Sequence, residues 1–180
     1  MLEYCVESSY RMKTGLVMVL ADLAKAFDSV DREEMMRVME RNRIDGLTID
    51  LLRDVYGGDK TKIFRDGREM GQTAVTRGIR QGCTGSPQLF VMVVDEIIWK
   101  LQDSRMGYRD INMYLQRLFY TDDGLLLMRS VGEAMVMVRN TELIAGKFAL
   151  KINRSKNKCL ICNARELGRA IPDDIEGDGG

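Results

Sequence analysis

Short apolar runs alternate along the chain with longer stretches in which apolar residues recur every three or four positions, a pattern that predicts interleaved strands and helices. Residues 1–13 read as the tail of a helix with Leu2, Cys5, Val6 and Ser9 on one side. Leu16 to Leu20 is an unbroken apolar run ending at Ala21-Asp22, which predicts a strand buried on both faces. Asp31, three residues before Glu34, is a helix-start pair. Met35, Met36, Val38 and Met39 follow at helical spacing, and Gly46 separates this helix from another near Leu47–Tyr56. Thr61 to Val75 is extended in pattern, with Asp66-Gly67 as a hairpin turn.

Residues 77–86 form a glycine-rich loop. Ser86-Pro87 then starts a helix, serine at the cap and proline in the first turn, with Leu89, Phe90, Val93, Val94, Ile97, Ile98 and Leu101 as its core stripe. Leu118 to Leu127 is apolar on both sides of Asp122-Asp123-Gly124, so a buried hairpin is expected. Ser130 and Glu133 make a capping box for a helix running to about Phe148. Strand patterns at Leu150–Asn153 and Lys158–Cys162 follow, and the acidic, Gly-rich tail from Pro172 is expected to be disordered. Without internal repeats, this order suggests one mixed α+β layer fold.

Composition adds exclusions. The 180 residues are of one-domain size, and no apolar run approaches the ~20 residues of a membrane span, so a soluble, intracellular protein is expected. The 27 basic and 27 acidic side chains leave no net charge, whereas a self-sufficient nucleic-acid binder would carry a basic excess. Four cysteines (Cys5, Cys83, Cys159, Cys162) are too few for a disulfide scaffold. Cys159 and Cys162 have the spacing of a metal hook, but no second such pair and no histidine exists to complete a zinc site. On a strand that spacing points the two thiols to opposite faces.

The candidate chemistry lies in the carboxylates. Asp122-Asp123-Gly124 alone reads as a turn, and Asp22 alone as a loop residue after a strand. Taken together, they are acids at the ends of strongly apolar strands, where clustering would favour protonation unless a divalent cation relieved the repulsion. Hard oxygen ligands suit Mg²⁺ or Mn²⁺, and two such ions ~3.5–4 Å apart support in-line phosphoryl displacement.

At these residues a family resemblance enters. Asp22-Leu-Ala-Lys-Ala-Phe-Asp28-Ser-Val resembles the first catalytic motif of reverse transcriptases, and Arg77-Gly-Ile-Arg-Gln81-Gly-Cys-Thr-Gly-Ser86-Pro87 the second. Phe119-Tyr120-Thr121-Asp122-Asp123 is similar to the third, and Leu150-Lys-Ile-Asn153-Arg-Ser-Lys156 to the fourth. The motifs stand in the family's order over about residues 16–160, in the flavour of the non-LTR retrotransposon (LINE-type) branch. Thr84-Gly85 and Thr121 depart from that branch's usual residues without removing a ligand.

The resemblance implies a polymerase palm over residues 1–163, an antiparallel sheet backed by helices, followed by a flexible acidic tail at 164–180. It implies an RNA-directed DNA polymerase whose partners are an RNA template, a DNA primer and deoxynucleoside triphosphates, with no membrane role. Asp22 and Asp122 become the main ligands of two Mg²⁺ or Mn²⁺ ions, helped by the Leu23 carbonyl and supported by Asp123. Phe27 matches the aromatic that meets the nucleotide sugar and would exclude a 2′-hydroxyl, and Gln81 and Gly82 match residues lining the nucleotide pocket. Lys156 matches the region of a proposed proton donor to pyrophosphate, though a surface lysine is an equal reading. Arg77 and Arg80 would meet phosphate or be plain loop arginines.

Only 21 residues precede Asp22, and little follows residue 163. The expectation is therefore a palm fragment lacking the fingers and thumb of a longer parent, acting in the nucleus. A palm-fold remnant without catalysis is the alternative. A viral RNA-copying polymerase is a weaker one, because Phe27 would obstruct ribonucleotides.

Overall fold

β1 (Leu16–Ala24) organises the molecule, because three other strands pair with it. A computed structural model describes residues 1–101, 106–111 and 113–163; the expected tail at 164–180 lies outside the described residues. In chain order the elements are α1 (Leu2–Arg11), β1, α2 (Ala26–Ser29), α3 (Arg32–Arg41), α4 (Gly46–Gly57), β2 (Lys60–Arg65), β3 (Arg68–Ala74) and α5 (Ser86–Lys100). Then come β4 (Tyr108–Arg109), β5 (Tyr114–Leu115), β6 (Arg117–Tyr120), β7 (Asp123–Met128), α6 (Val131–Gly146), β8 (Lys151–Ile152) and β9 (Lys158–Cys162).

The main sheet runs β6-β7-β1-β8, with β9 also on β1, and every pairing in it is antiparallel. β9 pairs with Leu16–Leu20 and β8 with Leu23–Ala24, so the two share one flank of β1 in succession. This is the expected palm-type sheet backed by helices.

The apolar run of β1 serves two different faces. Val17, Val19, Ala21 and Leu23 join the main core with Phe90, Val93 and Ile97 of α5 and Ala134 and Met137 of α6. On the other face Leu16 and Met18 join a smaller cluster with Cys5 of α1, Tyr108, Leu127 and Cys162. Further along that second face the cover ends. Leu20 is 48% exposed, and Asp22 comes next.

Local rules account for most boundaries. The Asp31 carboxylate accepts from the Glu34 amide, Asp45 from Thr48 and Ser130 from Glu133, each closing an otherwise open first turn. Asp66 and Gly67 have φ of 51° and 75°, the left-handed pair required by a tight hairpin between β2 and β3. Gly46 is the first residue of α4 and no break before it.

One expected cap is corrected. Gly85, not Ser86, stands at the N-cap of α5; Ser86 is already helical, and its hydroxyl donates to the Arg80 carbonyl instead. The proline in the first turn is where it was expected. β4 and β5, two residues each, carried no signal in the sequence pattern.

Cys159 packs against the main core and Cys162 belongs to the smaller cluster, as opposite-facing strand residues should. Burial raises the pKa of both thiols and is also the main reason that of Cys5 is raised. Cys83 is exposed. A thiol reagent at about pH 8 is therefore expected to modify Cys83 in the native chain well before Cys5 or Cys162. Equal labelling of all four cysteines without denaturant, read by peptide mass, would contradict this burial pattern.

Candidate active site at the open edge of the sheet

The register of β1 and β7 sets Asp22 directly across from Asp123, as the last pair of a ladder that begins with Val17 and Met128. Directly opposed residues of an antiparallel pair share a face. That face is the second one, beyond Leu20, so both carboxylates lie where the covering cluster has ended. Asp22 is half-buried and Asp123 exposed. The backbone carbonyl of Asp22 accepts from the Asn153 amide at 2.8 Å, which ties the loop after β8 to the same spot.

That loop supplies a cation. Lys156 Nζ lies 3.5 Å from Asp22 Oδ2, with two-thirds of its side chain exposed. Asp22, Asp123, Ser155, Lys156 and Lys158 line an open cleft of ≈ 390 Å³ together with Leu20, Ala21 and Gly124. A larger one, ≈ 470 Å³, is lined by Arg41, Glu96 and Trp99 among others and holds none of the expected site residues. The smaller cleft is the one that holds expected site residues.

Asp122 occupies the turn of the β6–β7 hairpin, just after Thr121, whose φ of 53° marks a left-handed turn position. Its carbonyl accepts from the Leu23 amide at 3.1 Å, and its carboxylate from the Thr121 hydroxyl at 2.8 Å. Asp122 does not line the cleft. The resemblance ranks Asp122 above Asp123, whereas the register puts Asp123 across from Asp22. Among the described residues, no three acids or thiols gather into a metal-holding group. Two opposed carboxylates on an exposed face nonetheless have the hard oxygen chemistry that Mg²⁺ takes with water completing its shell.

Phe27 stacks on Phe90 with ring centroids 4.6 Å apart and an interplanar angle of 23°. Phe90 is fully buried and Phe27 half-buried, so one face of the Phe27 ring is fixed by α5. The loop carrying Gln81 and Gly82 is tied to the same turn, through the Ile79 amide to the Phe27 carbonyl (2.7 Å) and Gln81 Nε2 to Asp28 Oδ1 (2.8 Å). Gly82 has φ of 85° and open space around it, so its glycine answers to conformation alone.

The two arginines differ. Arg77 is exposed, and its backbone bridges Asp31. Arg80 is engaged within the fold, pairing with Asp59 and donating to the Val55 carbonyl at 2.6 Å. Arg80 is thus partnered within the fold and not a plain loop arginine. Asp28, Arg32, Asp59 and Lys158 were missed by motif reasoning. Asp28 lay inside a quoted motif, but Arg32 and Asp59 carry no periodic signal: Arg32 donates to three distant backbone carbonyls, and Asp59 accepts from the side chains of Arg32 and Arg80, none of which sequence can display.

The reverse transcriptase (RNA-dependent DNA polymerase) family profile matches residues 3–169. The chain belongs to the reverse transcriptase family. Among relatives, this reverse transcriptase domain is 30% identical over 128 residues to a Pol polyprotein of the type-1 retrotransposable element R2 of Popillia japonica, a match covering 71% of the chain and 21% of the relative. It is 26% identical over 170 residues to the R2 polyprotein of Bradysia coprophila, covering 92% and 19%. A 149 kDa protein of transposon TX1 from Xenopus laevis is 23% identical over 156 residues, covering 84% and 12%.

The chain thus spans about a fifth or less of the curated relatives it matches. Among solved structures, telomerase of Candida albicans superposes with a TM-score of 0.64 at 12% identity, covering 88% of this chain and 29% of that one. Apo telomerase of Candida tropicalis gives 0.62 at 12%, covering 89% and 34%. These likenesses establish the fold as that of a reverse transcriptase and say nothing more of chemistry. Among the described residues no helix is long and apolar enough to cross a membrane.

Proposed function

We propose that this domain is the palm core of an RNA-directed DNA polymerase, transferring deoxynucleotides to a primer 3′-hydroxyl on an RNA template. The observation that carries the reading is the opposed pair Asp22 and Asp123 on the open sheet face, with Lys156 beside them. Asp22 and the hairpin carboxylates Asp122 and Asp123, with the Leu23 carbonyl, would hold two Mg²⁺ or Mn²⁺ ions. When bound, these ions supply charge neutralisation at the triphosphate and activation of the attacking hydroxyl. The chain's own residues do the rest by orientation: Phe27 limits the sugar, Gln81 and Gly82 bound the pocket, and Lys156 stands ready to give a proton to the leaving pyrophosphate.

The R2 relatives support a parent protein from a non-LTR retrotransposon, and the LINE-type resemblance adds the reading that this parent works at chromosomal DNA in the nucleus. Fingers and thumb would be supplied by that parent. Residues 1–163 then make the palm and 164–180 its acidic tail.

Primer extension on an RNA template, with deoxy- and ribonucleotides compared, tests this function. The chain is expected to extend feebly with deoxynucleotides and not with ribonucleotides. Phe27→Val is expected to narrow that preference by about tenfold or more, since a lost steric clash is worth roughly 1–3 kcal/mol. An unchanged preference in a Phe27→Val protein that melts normally would refute the sugar-gate role. The melting control matters because the Phe90 stack is lost as well.

A second reading, a palm-fold remnant that binds without polymerising, draws on one observation: Asp122 lies off the cleft. Metal binding without extension would favour it.

A further inference from the structure

The loop over residues 77–86 has little apolar anchorage. Only Gly78, Ile79 and Ser86 in it are buried. On one side it hangs from α2 and the residue that follows it, through Gly78 N to Val30 O (2.8 Å) and Ile79 N to Phe27 O (2.7 Å). On the other side it is held by two guanidinium groups, that of Arg32 beneath Gly78 and that of its own Arg80 on Asp59 and the Val55 carbonyl.

Arg32 is the first residue of α3 and is nine-tenths buried. Its Nε donates to the Gly78 carbonyl at 2.9 Å, and Nη1 to the carbonyls of Tyr56 (2.8 Å) and Val75 (2.7 Å). Its Nη2 donates to Asp59 Oδ2 at 2.9 Å. One side chain therefore joins the start of α3, the last turn of α4, the exit of β3 and the loop.

Asp59 also pairs with Arg80, and the Tyr56 ring packs against both cations, 4.6 Å from Arg32 and 5.5 Å from Arg80. The hydrogen bond from Arg80 is the main reason the Asp59 carboxyl is held below its ordinary range, so the carboxylate is a lasting partner.

This position is an expensive one for a cation. The N-terminus of a helix carries the positive end of its dipole, and burial strips an ion of water. An apolar side chain would fill the space without either penalty. What an apolar side chain lacks is the fork of donors that sets the loop's carbonyl at one height.

We propose that Arg32 and Asp59 form a positioning clamp for the 77–86 loop, setting the Gln81–Gly82 segment against the Phe27 turn and so fixing affinity for the incoming deoxynucleoside triphosphate. This rests on the polymerase reading given above. Neither residue touches substrate; both act through Gly78 and Arg80. Gln81 is the output of the clamp, since its amide bonds Asp28, the residue next to Phe27.

The test compares Asp59→Asn, which keeps the shape and removes the charge, and Arg32→Lys with a control variant far from the loop. Thr141→Ala serves as control, because its buried hydroxyl bonds Met137 within α6. Three quantities are measured on each full chain: melting temperature, amide exchange at Gly78 and Ile79, and the KM and kcat for deoxynucleotide in Mn²⁺-supported primer extension. Equilibrium binding of a fluorescent deoxynucleoside triphosphate replaces the kinetics if turnover is too slow.

Asp59→Asn and Arg32→Lys are expected to speed exchange at both amides, and to raise KM or Kd about tenfold while kcat moves little. Thr141→Ala, at a comparable loss of melting temperature, should change none of these. The clamp is overturned if the loop amides do not respond, or if the control raises KM as much as the clamp variants do. Should the parent chain bind no nucleotide, the polymerase reading and the nucleotide half of the proposal both fall. The exchange data then still decide whether Arg32 and Asp59 hold the loop.

Discussion

Asp22→Asn is expected to abolish the rise in melting temperature that Mg²⁺ or Mn²⁺ gives the parent chain, and with it primer extension. Asparagine keeps the size of the side chain but removes the charge that a hard dication needs. Loss of an outer-shell partner already costs ~10–100-fold in metal affinity, so loss of a direct carboxylate ligand should cost at least about a hundredfold. A hundredfold weaker Kd removes up to about 2.7 kcal/mol of linked stabilisation at saturating metal.

Without metal the variant should melt close to the parent. It loses an ion pair with Lys156, largely exposed on the lysine side and worth roughly 0–1 kcal/mol, and it loses the repulsion from Asp123 across the strand pair. The same titration on Asp122→Asn and Asp123→Asn ranks the two hairpin acids. The register favours the larger loss at Asp123, the family motif at Asp122. A metal-induced shift that persists in Asp22→Asn removes the central carboxylate from the metal site.

Gly78→Ala is expected to be the most damaging single-methyl change in the chain. Gly78 has φ of 87°, and an added Cβ would lie 2.7 Å from the Asp28 carbonyl oxygen and 3.0 Å from its carbonyl carbon. Both atoms belong to backbone and cannot swing aside. Left-handed strain of roughly 1–3 kcal/mol and overpacking of about 1–3 kcal/mol both apply, for an expected loss of ~3–5 kcal/mol in denaturant melts.

Two other glycines separate the terms. Gly82→Ala meets only the conformational part, at φ of 85° in open space, and should lose about 1 kcal/mol. Gly124→Ala has no left-handed φ, and its Cβ would meet the edge of the Phe119 ring at 2.7 Å, a side chain able to shift. It should fall between the other two. If Gly78→Ala costs no more than Gly82→Ala, the close approach of the loop to Asp28 is wrong.

Much of this molecule could be read from its residue pattern, for identifiable reasons. β1 declared itself because five successive apolar residues in a short run admit few other conformations, and Asp31 and Ser130 mark helix starts through local bonds that need no tertiary partner. The hairpin at Asp66-Gly67 was equally local.

Ser86 misled for a physical reason: a serine before proline can cap, but its hydroxyl found the Arg80 carbonyl in the folded loop. Motif order brought Asp22, Asp122, Asp123 and Lys156 to one place on paper; the fold lines one cleft with Asp22, Asp123 and Lys156 and leaves Asp122 in the hairpin turn outside that lining. What could not be read was long-range and polar. Arg32 looks like an ordinary first-turn residue until Gly78, 46 positions away, accepts from it. Asp122 and Asp123 are neighbours in sequence, yet only strand register tells which of them faces Asp22.

The alternation along β1 also determines how this domain would fail. Odd-numbered residues fill the helix-backed core, and the even-numbered series runs from buried Leu16 through Leu20 to Asp22, the proposed metal ligand. Sliding β1 by one position would thrust a carboxylate into the packing and expose Leu23 in its place. Chemistry and folding are therefore locked to a single register, with no intermediate setting. Inactivation on heating should follow the cooperative melt of the sheet and not precede it, so damage to the buried row would silence the domain as surely as damage to its acids.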